Sequence, residues 1–453
     1  MNDIYRAEVE NHGIVIHKWV FLGFVVIQSI MVFSVLQFPL ESAMLFFGFF
    51  CVALLLHKLE YSIPILVIAI AVSEFVRIPA GPFYLHLPRL ILILVLTVFL
   101  FRSLLLQKLA ILKSKLDTVV LLYLLMCFIS VFVSQFPLKS LKSTFNMVSL
   151  ALFFWLTLQL LRTRSMVNIF IHLWIWVSTG VAVLAILEFS LLRQYRVVSI
   201  FEDPNFLGNY LLIGTLLLYA LVSQRSLAGN PKSFLALVVH LIAVMLTLSR
   251  GAWLGLVVGI LFVGYVNKNF WKTLALCVLI PAALILLSPE YVGSRIIQTL
   301  QLGERSAILH LYLNLTSLNM IKSNPILGIG MGTFEIVHQN YIPADSPAII
   351  RLILQSRYAP HNTFLEIWSG IGTIGFILFI GIFAIAVKEA LRTLREVRAP
   401  SRQAYLKGTV SALIAVLIHN LTLSYNREHI WILLAIVWAI SYLYREEGTI
   451  LGP

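Results

Sequence analysis

Residues 289–371 have the sequence PEYVGSRIIQTLQLGERSAILHLYLNLTSLNMIKSNPILGIGMGTFEIVHQNYIPADSPAIIRLILQSRYAPHNTFLEIWSGI. This is the longest part of the chain without an apolar run that could cross a membrane. It contains four arginines: Arg295, Arg305, Arg351 and Arg357. His361 and Asn362 stand near its end, where the next apolar run begins. Since nearly everything on either side is apolar, we predict a large extracytoplasmic loop, residues 289–361, between membrane helices.

The composition of the chain is that of a polytopic membrane protein. Of its 453 residues, 60% are hydrophobic and 12% are charged, whereas soluble domains carry about 25% charged residues. Apolar runs recur along the whole length, so we predict an all-α fold with a single integral membrane domain over residues 1–453. Cys51, Cys127 and Cys277 lie within apolar runs and are expected to pack there, without a disulfide framework or a metal cluster.

The number of membrane helices follows from the length of the apolar runs. A hydrocarbon core of roughly 30 Å needs about 20 apolar residues in a helix. Counting such runs predicts 12 to 14 membrane helices. The candidate runs are residues 18–37, 40–57, 61–77, 87–105, 117–135, 141–161, 166–188, 206–223, 232–249, 250–266, 270–288, 362–388, 403–424 and 428–444.

Basic residues predict the orientation, because Lys and Arg concentrate in cytoplasmic loops. With the N-terminus inside and strict alternation, every inside loop is rich in Lys and Arg. These loops are His57–Lys58, Gln107–Lys115, Arg162–Arg164, Arg225–Lys232, Lys268–Lys272, Lys388–Arg402 and the tail from Arg445. The net charge of +13 is thereby assigned to cytoplasmic helix ends and not to nucleic-acid binding. Both termini are predicted to be cytoplasmic.

The same alternation places residues 77–89, 189–205, 249–251 and 289–361 outside, where arginine is disfavoured. Seven arginines nevertheless fall on the outer side: Arg193, Arg196, Arg250, Arg295, Arg305, Arg351 and Arg357. We infer that something on the outer face requires positive charge.

A helix is predicted inside the long loop, over residues 304–322. Apolar side chains recur there at a nearly helical spacing, at Ile308, Leu311, Leu315, Leu318 and Ile321. The other face carries Arg305, Asn314 and Ser317. This pattern is typical of an amphipathic helix at the membrane surface.

Two glycine-rich runs follow this helix. Pro325 is expected to end the helix, and three glycines are expected to let the backbone approach a neighbour closely. They are Gly328, Gly330 and Gly332. The second run predicts close packing between helices. It contains Gly370, Gly372 and Gly375.

The first motif with chemical potential is LSRGAW, residues 248–253, where Arg250 stands between two apolar runs. An arginine at the membrane edge can extend its charge into water, which is a purely structural role. Alternatively it binds an anion, because a guanidinium group pairs with phosphate through two hydrogen bonds. Arg305, at the start of the predicted surface helix, allows the same two interpretations.

The second motif is FEDPNFLGNY, residues 201–210. Its Asp-Pro-Asn run is typical of a turn that starts a helix, and this accounts for the proline and the asparagine. It accounts less well for two adjacent acids close to two arginines, since either acid can act as a general base or orient an arginine. The predicted substrate-binding residues here are Arg193, Arg196, Glu202, Asp203 and Asn205.

The third motif is PHNTFLEIWSGIGTIG, residues 360–375. His361 falls at the predicted start of a helix, where imidazole either exchanges a proton near neutral pH or caps the helix. Glu366 lies inside the apolar run, where a carboxylate requires a partner. Together with Arg295 of the loop, Asn362 and Glu366 are predicted to bind substrate.

Arg250, Arg305 and His361 all fall on the predicted outer face. We expect them to form a cleft for an anion beside a proton acceptor, and these three residues are the predicted catalytic set. The lipid-borne anion expected to meet such a cleft is a pyrophosphate.

The motifs also occur in a recognisable order. SRGAW, the DPN-x-x-G turn (Asp203–Gly208), ERSAI with NPILGIGMGTF, and HNTFLEIWSGIGTIGF lie within roughly residues 200–385. This ordered set resembles the O-antigen ligase and O-antigen polymerase superfamily. The resemblance implies a metal-independent, inverting glycosyltransferase without cofactor, with a GT-C-type multi-helix fold. It further implies a multi-pass protein of the bacterial inner membrane whose active site faces the periplasm.

The resemblance implies substrates and roles as well. The donor would be a glycan on undecaprenyl diphosphate, and the acceptor a hydroxyl of a glycan or lipid. Membrane lipid and polysaccharide-assembly proteins are the other expected partners, and nucleic acid is not. By position, Arg250 and Arg305 match arginines thought to bind the diphosphate, and His361 matches the histidine thought to activate the acceptor. The absence of a D-x-D pair from the outer loops agrees with a metal-independent enzyme.

One departure leaves the type of transferase open. Members of the superfamily often carry an acid near the end of the penultimate helix, whereas the run 403–424 has none and offers His419 and Asn420. Both a ligase and a polymerase fit. The alternative is a lipid-linked oligosaccharide flippase or another multi-helix transporter, and a third class is a structural membrane protein. Transporters place charges at the bilayer midplane, often in paired repeats, whereas mid-helix positions here are almost wholly apolar.

Overall fold

The structure is a computed structural model of the chain. It describes residues 52, 55, 57–73, 77–80, 83–105, 111–192, 194, 196–223, 230–287, 294, 305–356 and 358–450. By its contacts the chain divides into two compact units, residues 1–62 with 97–108 and residues 63–96 with 109–453. The candidate site residues all belong to the second unit.

Helices make up most of the described chain. In chain order they are α1 (Ser62–Ala71), α2 (Leu87–Leu105), α3 (Lys115–Val133), α4 (Pro137–Leu160), α5 (Arg164–Leu192), α6 (Pro204–Ser223), α7 (Pro231–Leu246), α8 (Arg250–Val266), α9 (Phe270–Leu287), α10 (Arg305–Ser323), α11 (Phe334–Val337), α12 (Ala348–Ile353), α13 (Thr363–Glu396), α14 (Pro400–His419) and α15 (Glu428–Ile450). Leu59–Tyr61 and His338–Tyr341 are short 3-10 helices.

Six helices of the described part are long and apolar enough to cross a membrane. They cover Leu87–Leu104, Lys115–Val133, Pro137–Leu160, Arg164–Leu192, Pro204–Ser223 and Thr363–Glu396. Shorter apolar helices include Pro231–Leu246 and Arg250–Val266. The fold is therefore that of an all-α polytopic membrane protein, as predicted. The predicted runs 18–37 and 40–57 lie almost entirely outside the described residues, and the total of 12 to 14 helices stays a prediction.

A short β-hairpin departs from the all-helical pattern. Strands β1 (Arg77–Ala80) and β2 (Phe83–His86) pair antiparallel, with Arg77 opposite His86 and Ala80 opposite Phe83. The apolar pattern predicts only a loop over residues 77–89. Gly81-Pro82 stands between the strands in the sequence, and this dipeptide marks turns, which explains how a hairpin forms there.

Helices α6, α8 and α14 pack closely because small residues line their contact. A Cβ atom added to Gly255 of α8 would lie 2.5 Å from the carbonyl oxygen of Ala415 in α14. One added to Gly259 would lie 2.5 Å from a methyl of Leu216 in α6. In membranes, where lipid is as apolar as a side chain, such close approach supplies the van der Waals contact that holds helices together. The start of α8 is thereby fixed against α6 and α14.

Residues 305–356 form a layer with an apolar core of its own. The core consists of Leu313, Met320, Ile329, Phe334, Val337, Ile350 and Leu354. Helix α10 confirms the helix predicted over residues 304–322. The long loop is thus a folded layer of short helices and not an extended connection.

Burial in α10 follows the predicted apolar stripe only in part. Ile321 of that stripe is buried, whereas Leu311 and Leu318 are exposed. Thr316 and Ser317 are fully buried, although Ser317 was predicted on the polar face. The two hydroxyls donate to carbonyl oxygens one turn earlier in the helix, at 2.8 Å for Thr316 and 2.9 Å for Ser317. Because a buried hydroxyl costs little once it is hydrogen-bonded, both side chains can pack into the layer. The position of this helix at the membrane surface stays a prediction.

A glycine-rich segment, residues 325–332, enters a break in α13, and we call it the glycine loop. At Gly372 the helix is interrupted, with φ 72° and ψ −178°. The loop and the break are joined by backbone hydrogen bonds from Thr373 N to Pro325 O (2.8 Å), from Ile329 N to Ser369 O (2.9 Å) and from Gly330 N to Gly370 O (3.0 Å). The loop thus supplies partners for peptide groups around the break, which cannot be left unpaired in an apolar setting.

The two glycine predictions have opposite outcomes. Close approach of the glycine loop is confirmed, since Cβ atoms on its three glycines would clash with Gly370, Ser134 and Ser143 respectively. Helix-to-helix packing at Gly370 and Gly372 is wrong, because both lie against the glycine loop. At Gly375 a Cβ would meet Ile371 of the same helix. The reason is that a positive φ at Gly372 opens the helix for backbone pairing.

Candidate active site

Four helix ends are joined by a buried hydrogen-bond network centred on Asn209. Its Nδ2 donates to Asn420 Oδ1 (3.0 Å) and to His419 Nδ1 (3.2 Å), and its Oδ1 accepts from His429 Nε2 (2.8 Å). Since His419 Nδ1 accepts, its ring proton is assigned to Nε2, which donates to Ser249 Oγ at 3.3 Å. The network ties the starts of α6, α8 and α15 to the end of α14.

The start of α13 is held against the segment after α14. The contacts are Thr363 N to Asn420 O (2.9 Å) and Leu423 O (3.2 Å), Thr363 Oγ1 to Leu423 O (2.7 Å), Tyr425 N to Thr363 Oγ1 (3.0 Å) and Asn362 N to Ser424 Oγ (3.2 Å). We call residues 361–363 and 423–425 together the junction. It brings the start of α13 into the same polar end of the bundle.

Asn362 caps α13. Its Oδ1 accepts from the backbone N–H groups of Phe364 (3.1 Å) and Leu365 (3.2 Å), which would otherwise lack partners in the first turn. The side chain is 8% exposed. Asn362 was predicted to bind substrate, and its geometry assigns it a capping role that positions the neighbouring histidine.

His361 adopts a left-handed backbone conformation with φ 51°. This conformation costs a non-glycine residue on the order of 1–3 kcal/mol, and the junction on its C-terminal side holds it in place. The half-buried imidazole lies 4.8 Å, ring centre to ring centre, from His310 of α10. Burial lowers the pKa of the His361 imidazole below its usual value, and the Asp203 carboxylate nearby raises it in part. A neutral imidazole beside a carboxylate is suited to accept a proton.

Arg250 is the first residue of α8. Ser249 caps the helix by accepting from Ala252 N at 3.4 Å, and Leu248 before it has φ 49°. A Cβ on Gly251 would clash with Thr422 and His419, so the backbone at the start of α8 is pressed against the end of α14. The backbone that carries Arg250 is therefore fixed by the same network that contains His419.

The second motif forms the turn before α6. Asp203 Oδ1 accepts from Asn205 N at 2.7 Å, which is the predicted helix-starting turn. Arg196 Nε donates to Thr247 O at 3.1 Å, and its Nη2 to Asn205 Oδ1 at 3.4 Å. Arg196 therefore connects this turn to the one before Arg250. Glu202 is exposed to solvent.

Glu366, one turn into α13, lines a cavity of about 220 Å³ on the far side of the junction. Its carboxyl group interacts with the hydroxyl of Ser424. The structure therefore gives this carboxylate a polar partner inside an apolar run, as the sequence required.

The structure does not describe the side chains of three predicted site residues. Arg193 and Arg295 lie outside the described residues, and for Arg305 only the backbone is described, as the first residue of α10. The remaining predicted residues are brought to one polar end of the bundle: Arg196, Glu202, Asp203, Asn205, Arg250, His361, Asn362 and Glu366.

Sequence reasoning missed several residues of this polar end. They are Arg89, Asn146, Asn209, Ser249, Asn426, Arg427, Glu428 and His429. One signal was available, because Asn426-Arg427-Glu428-His429 is a run of four polar residues between two apolar runs. Asn209 gave no such signal, since its partners lie more than two hundred residues away in sequence.

The chain is similar to known proteins over its second half. The family described as O-antigen ligase matches residues 235–380, which include Arg250, Arg305, the glycine loop and His361. The O-antigen ligase of Salmonella typhimurium is 30% identical over 184 residues, covering 37% of this chain and 42% of that protein.

A second relative is an uncharacterized protein of Haemophilus influenzae. It is 27% identical over 176 residues, covering 36% of this chain and 43% of that protein. The matches thus span about two fifths of the length of either relative.

Proposed function

We propose that the chain is a membrane glycosyltransferase of the bacterial inner membrane, because residues 235–380 match the O-antigen ligase family and part of the chain is similar to an O-antigen ligase. The donor is a glycan carried on undecaprenyl diphosphate, and the acceptor is a hydroxyl of a second glycan or of a lipid-borne sugar. Both termini are cytoplasmic and the active site faces the periplasm. Either ligation or polymerisation follows from this chemistry, according to the acceptor.

One observation carries the proposal most directly. His361 is held in a strained backbone conformation by the junction, with its half-buried imidazole within electrostatic reach of Asp203. Strain that the surrounding structure maintains is typical of functional positions. The same junction is connected through Asn420, Asn209 and His419 to the turn that carries Arg250.

The transfer step uses these groups without a covalent intermediate. The acceptor hydroxyl oxygen attacks the anomeric carbon from the face opposite the diphosphate, which inverts the configuration. A carbon–oxygen bond to the acceptor forms, and the bond between the anomeric carbon and the diphosphate oxygen breaks with its electron pair leaving on undecaprenyl diphosphate. The hydroxyl proton passes to the His361 imidazole, and Asp203 stabilises the resulting positive charge.

The arginines act on the leaving group. Negative charge grows on the diphosphate as its bond to the sugar breaks, and guanidinium groups held in place stabilise that charge without reorganising. We assign this role to Arg250 and Arg305, in a reaction that requires no metal ion.

The test uses three variants of the purified protein: Arg250→Ala, Arg305→Ala and His361→Ala. With undecaprenyl-diphosphate glycan and acceptor, each should reduce release of undecaprenyl diphosphate by about 100-fold or more, as loss of a general base or of charge stabilisation does. Arg392→Ala is the matched control, because Arg392 lies on the exposed far part of α13 in a surface pair with Glu396.

A transferase is supported if the wild type and Arg392→Ala both release undecaprenyl diphosphate and the three site variants do not. Full activity in all three variants contradicts the site assignment. Movement of the lipid-linked glycan across the membrane without any release of undecaprenyl diphosphate would instead identify a flippase.

A further inference from the structure

Residues of the junction form part of the lining of a polar cavity. The transfer step described above assigns no role to this cavity. Its volume is about 220 Å³, less than the roughly 300–1,000 Å³ typical of pockets for drug-sized ligands. It is lined by Arg89, Asn146, Met147, Met331, Thr363, Glu366, Ile367, Ser424, Tyr425, Asn426 and Arg427. We call it the Glu366 cavity. Its size suits one sugar ring and not an extended chain.

The lining contains both hydrogen-bond donors and acceptors. The lining residues carry two amides, three hydroxyls, one carboxylate and two guanidinium groups, beside the apolar side chains of Met147, Met331 and Ile367. A sugar ring offers hydroxyls that both donate and accept, together with an apolar face of C–H groups. This mixed lining therefore matches a carbohydrate better than it matches a purely ionic ligand.

The charges of the cavity are balanced. Arg89 Nε lies 3.7 Å from Glu428 Oε1, and Arg89 also donates from Nη2 to Asn146 Oδ1 at 2.5 Å. Arg427 lies over the ring of Tyr425, 5.3 Å from its centre. With Glu366 in the lining and Glu428 behind it, two carboxylates accompany the two arginines. A diphosphate would require an excess of positive charge, so the Glu366 cavity is unsuited to the leaving group.

Glu428 lies beside the cavity, outside its lining, and forms an ion pair with Arg89 of the wall. Glu428 is 3% exposed, and neither its Oε1 nor Arg89 Nε has a hydrogen-bond partner among the described residues. Buried polar groups are normally hydrogen-bonded, so a pair held by charge alone is unusual. This ion pair holds the Arg89 guanidinium at the cavity wall, while its Nε–H makes no hydrogen bond to the described residues.

The cavity and His361 share the junction. Thr363 and Tyr425 belong to the junction and line the cavity, and His361 precedes Thr363 by two residues. Phe206, three residues after Asp203, stacks on Tyr425 at 4.1 Å between ring centres. Residues of the junction therefore connect the lining of the cavity to the backbone that positions His361.

We propose that the Glu366 cavity binds the acceptor sugar whose hydroxyl attacks the donor, with Glu366 and Asn146 as its specificity-determining residues. The inference rests on the proposed transferase function and deepens it. The two substrates are recognised by different chemistry: the donor diphosphate by arginines at the start of α8 and α10, and the acceptor by a charge-balanced cavity. Met331 brings the glycine loop into the same cavity, held by a hydrogen bond from its N–H to Ser130 Oγ at 3.2 Å.

The experiment measures KM for each substrate separately in the purified full chain. The probes are undecaprenyl-diphosphate repeat unit as donor, and either lipid A core or a second lipid-linked repeat as acceptor. Glu366→Gln and Asn146→Ala should raise the acceptor KM about tenfold or more, the effect of losing one hydrogen bond to a charged or buried partner. The donor KM should stay within about twofold, because the donor does not contact the cavity.

Two control variants lie on the same helices outside the cavity. Glu396→Gln changes a carboxylate on the exposed far part of α13, and Ser149→Ala removes a hydroxyl that donates to Asn146 O at 2.7 Å. Both should leave both KM values unchanged. Comparison of thermal unfolding midpoints among all four variants identifies any variant whose fold is altered.

The outcomes separate the two proposals. Active wild-type enzyme with an unchanged acceptor KM in both Glu366→Gln and Asn146→Ala overturns the cavity assignment alone. A raised donor KM with an unchanged acceptor KM overturns it as well, and gives the cavity to the donor. Absence of transfer by the wild type with either acceptor overturns the proposed function, and the cavity inference falls with it.

Discussion

His361 shows how hydrogen bonds made by neighbouring residues can fix the backbone conformation of one residue. Its φ of 51° is maintained by hydrogen bonds of the next two residues to the segment after α14, and Asn362 is consumed in capping. His361 therefore does not cap α13, and its backbone position is fixed by its neighbours. The sequence predicted the histidine but not the device that holds it, because its partners lie about sixty residues further along the chain.

The pH dependence of transfer follows from the surroundings of this imidazole. Burial lowers the pKa of His361 and the Asp203 charge raises it in part. The neutral form accepts the proton, so activity should be present above the folded-state pKa and lost as pH falls through it, with a midpoint below the usual value of about 6.5. The measurement is kcat/KM as a function of pH.

Asp203→Asn tests the cause of this shift. Removing the negative charge removes the contribution that raises the pKa, so the acid limb should move to lower pH, while the amide oxygen can still accept from Asn205 N. Glu202→Gln, at the exposed neighbouring position, is the control and should leave the midpoint in place. A limb that moves to higher pH in Asp203→Asn would show that His361 is not the titrating base.

At the scale of elements, the break in α13 is the feature that apolar patterns cannot predict. Residues 362–388 form one long apolar run, which predicts an unbroken helix. The interruption at Gly372 depends on the glycine loop, whose hydrogen bonds replace those of the helix and whose residues lie some forty positions earlier. The glycines of both runs were visible in the sequence, but their pairing with each other was not.

In helix α10 the ends could be predicted from the sequence, but the burial of its polar side chains could not. Its boundaries were predictable from its apolar spacing and from Pro325. The burial of Thr316 and Ser317 was not predictable from that spacing, because both hydroxyls are hydrogen-bonded within their own helix and so can pack like core residues. The spacing of apolar residues detects the helix but does not show which of its polar side chains are buried.

Gly372→Ala should destabilise the protein by at least about 2 kcal/mol. The left-handed conformation is strained for alanine, and the added Cβ would clash with the carbonyl oxygen of Ile326 in the glycine loop. Gly381→Ala, on the same helix, is the matched control, because a Cβ there would meet nothing within 4 Å. It should be neutral or stabilising by up to about 1 kcal/mol.

Thermal or denaturant unfolding of the detergent-purified proteins gives both values. Equal stability of the two variants would show that α13 tolerates a continuous helix at Gly372, and that the glycine loop is not required to fill a break.

At the scale of the whole molecule, charge-based topology and three-dimensional contacts agree on which turns belong together. The turns before α6 and α8 and the start of α13 were all placed outside by alternation, and hydrogen bonds join them to one another and to the segment after α14. Charge predicts the side of each turn because insertion depends on it. Charge gives no distances, so the network around Asn209 and the Glu366 cavity had to come from the structure.

The two ends of α3 provide a direct test of orientation. In a chain whose own cysteines are replaced, Gln135→Cys should react with a membrane-impermeant maleimide in cells with a permeabilised outer membrane. Lys113→Cys, at the other end of the helix, should react only after the inner membrane is opened. Both positions are exposed, so access to the reagent is decided by side alone. Reaction of Lys113→Cys first would invert the proposed topology and place the active site in the cytoplasm.

The glycine loop also has a consequence for the order in which the protein is made. Synthesis runs from the N-terminus, so Ser130, Ser134 and Ser143 are in place long before the loop emerges, and the loop emerges before α13. The glycine loop can therefore pack against the α3–α4 turn before α13 is synthesised. Helix α13 must then form as two helical segments on either side of Gly372 and pack against the glycine loop. His361, just before the start of α13, is therefore put in place by one of the final steps of assembly, because the junction that holds it also requires the segment after α14.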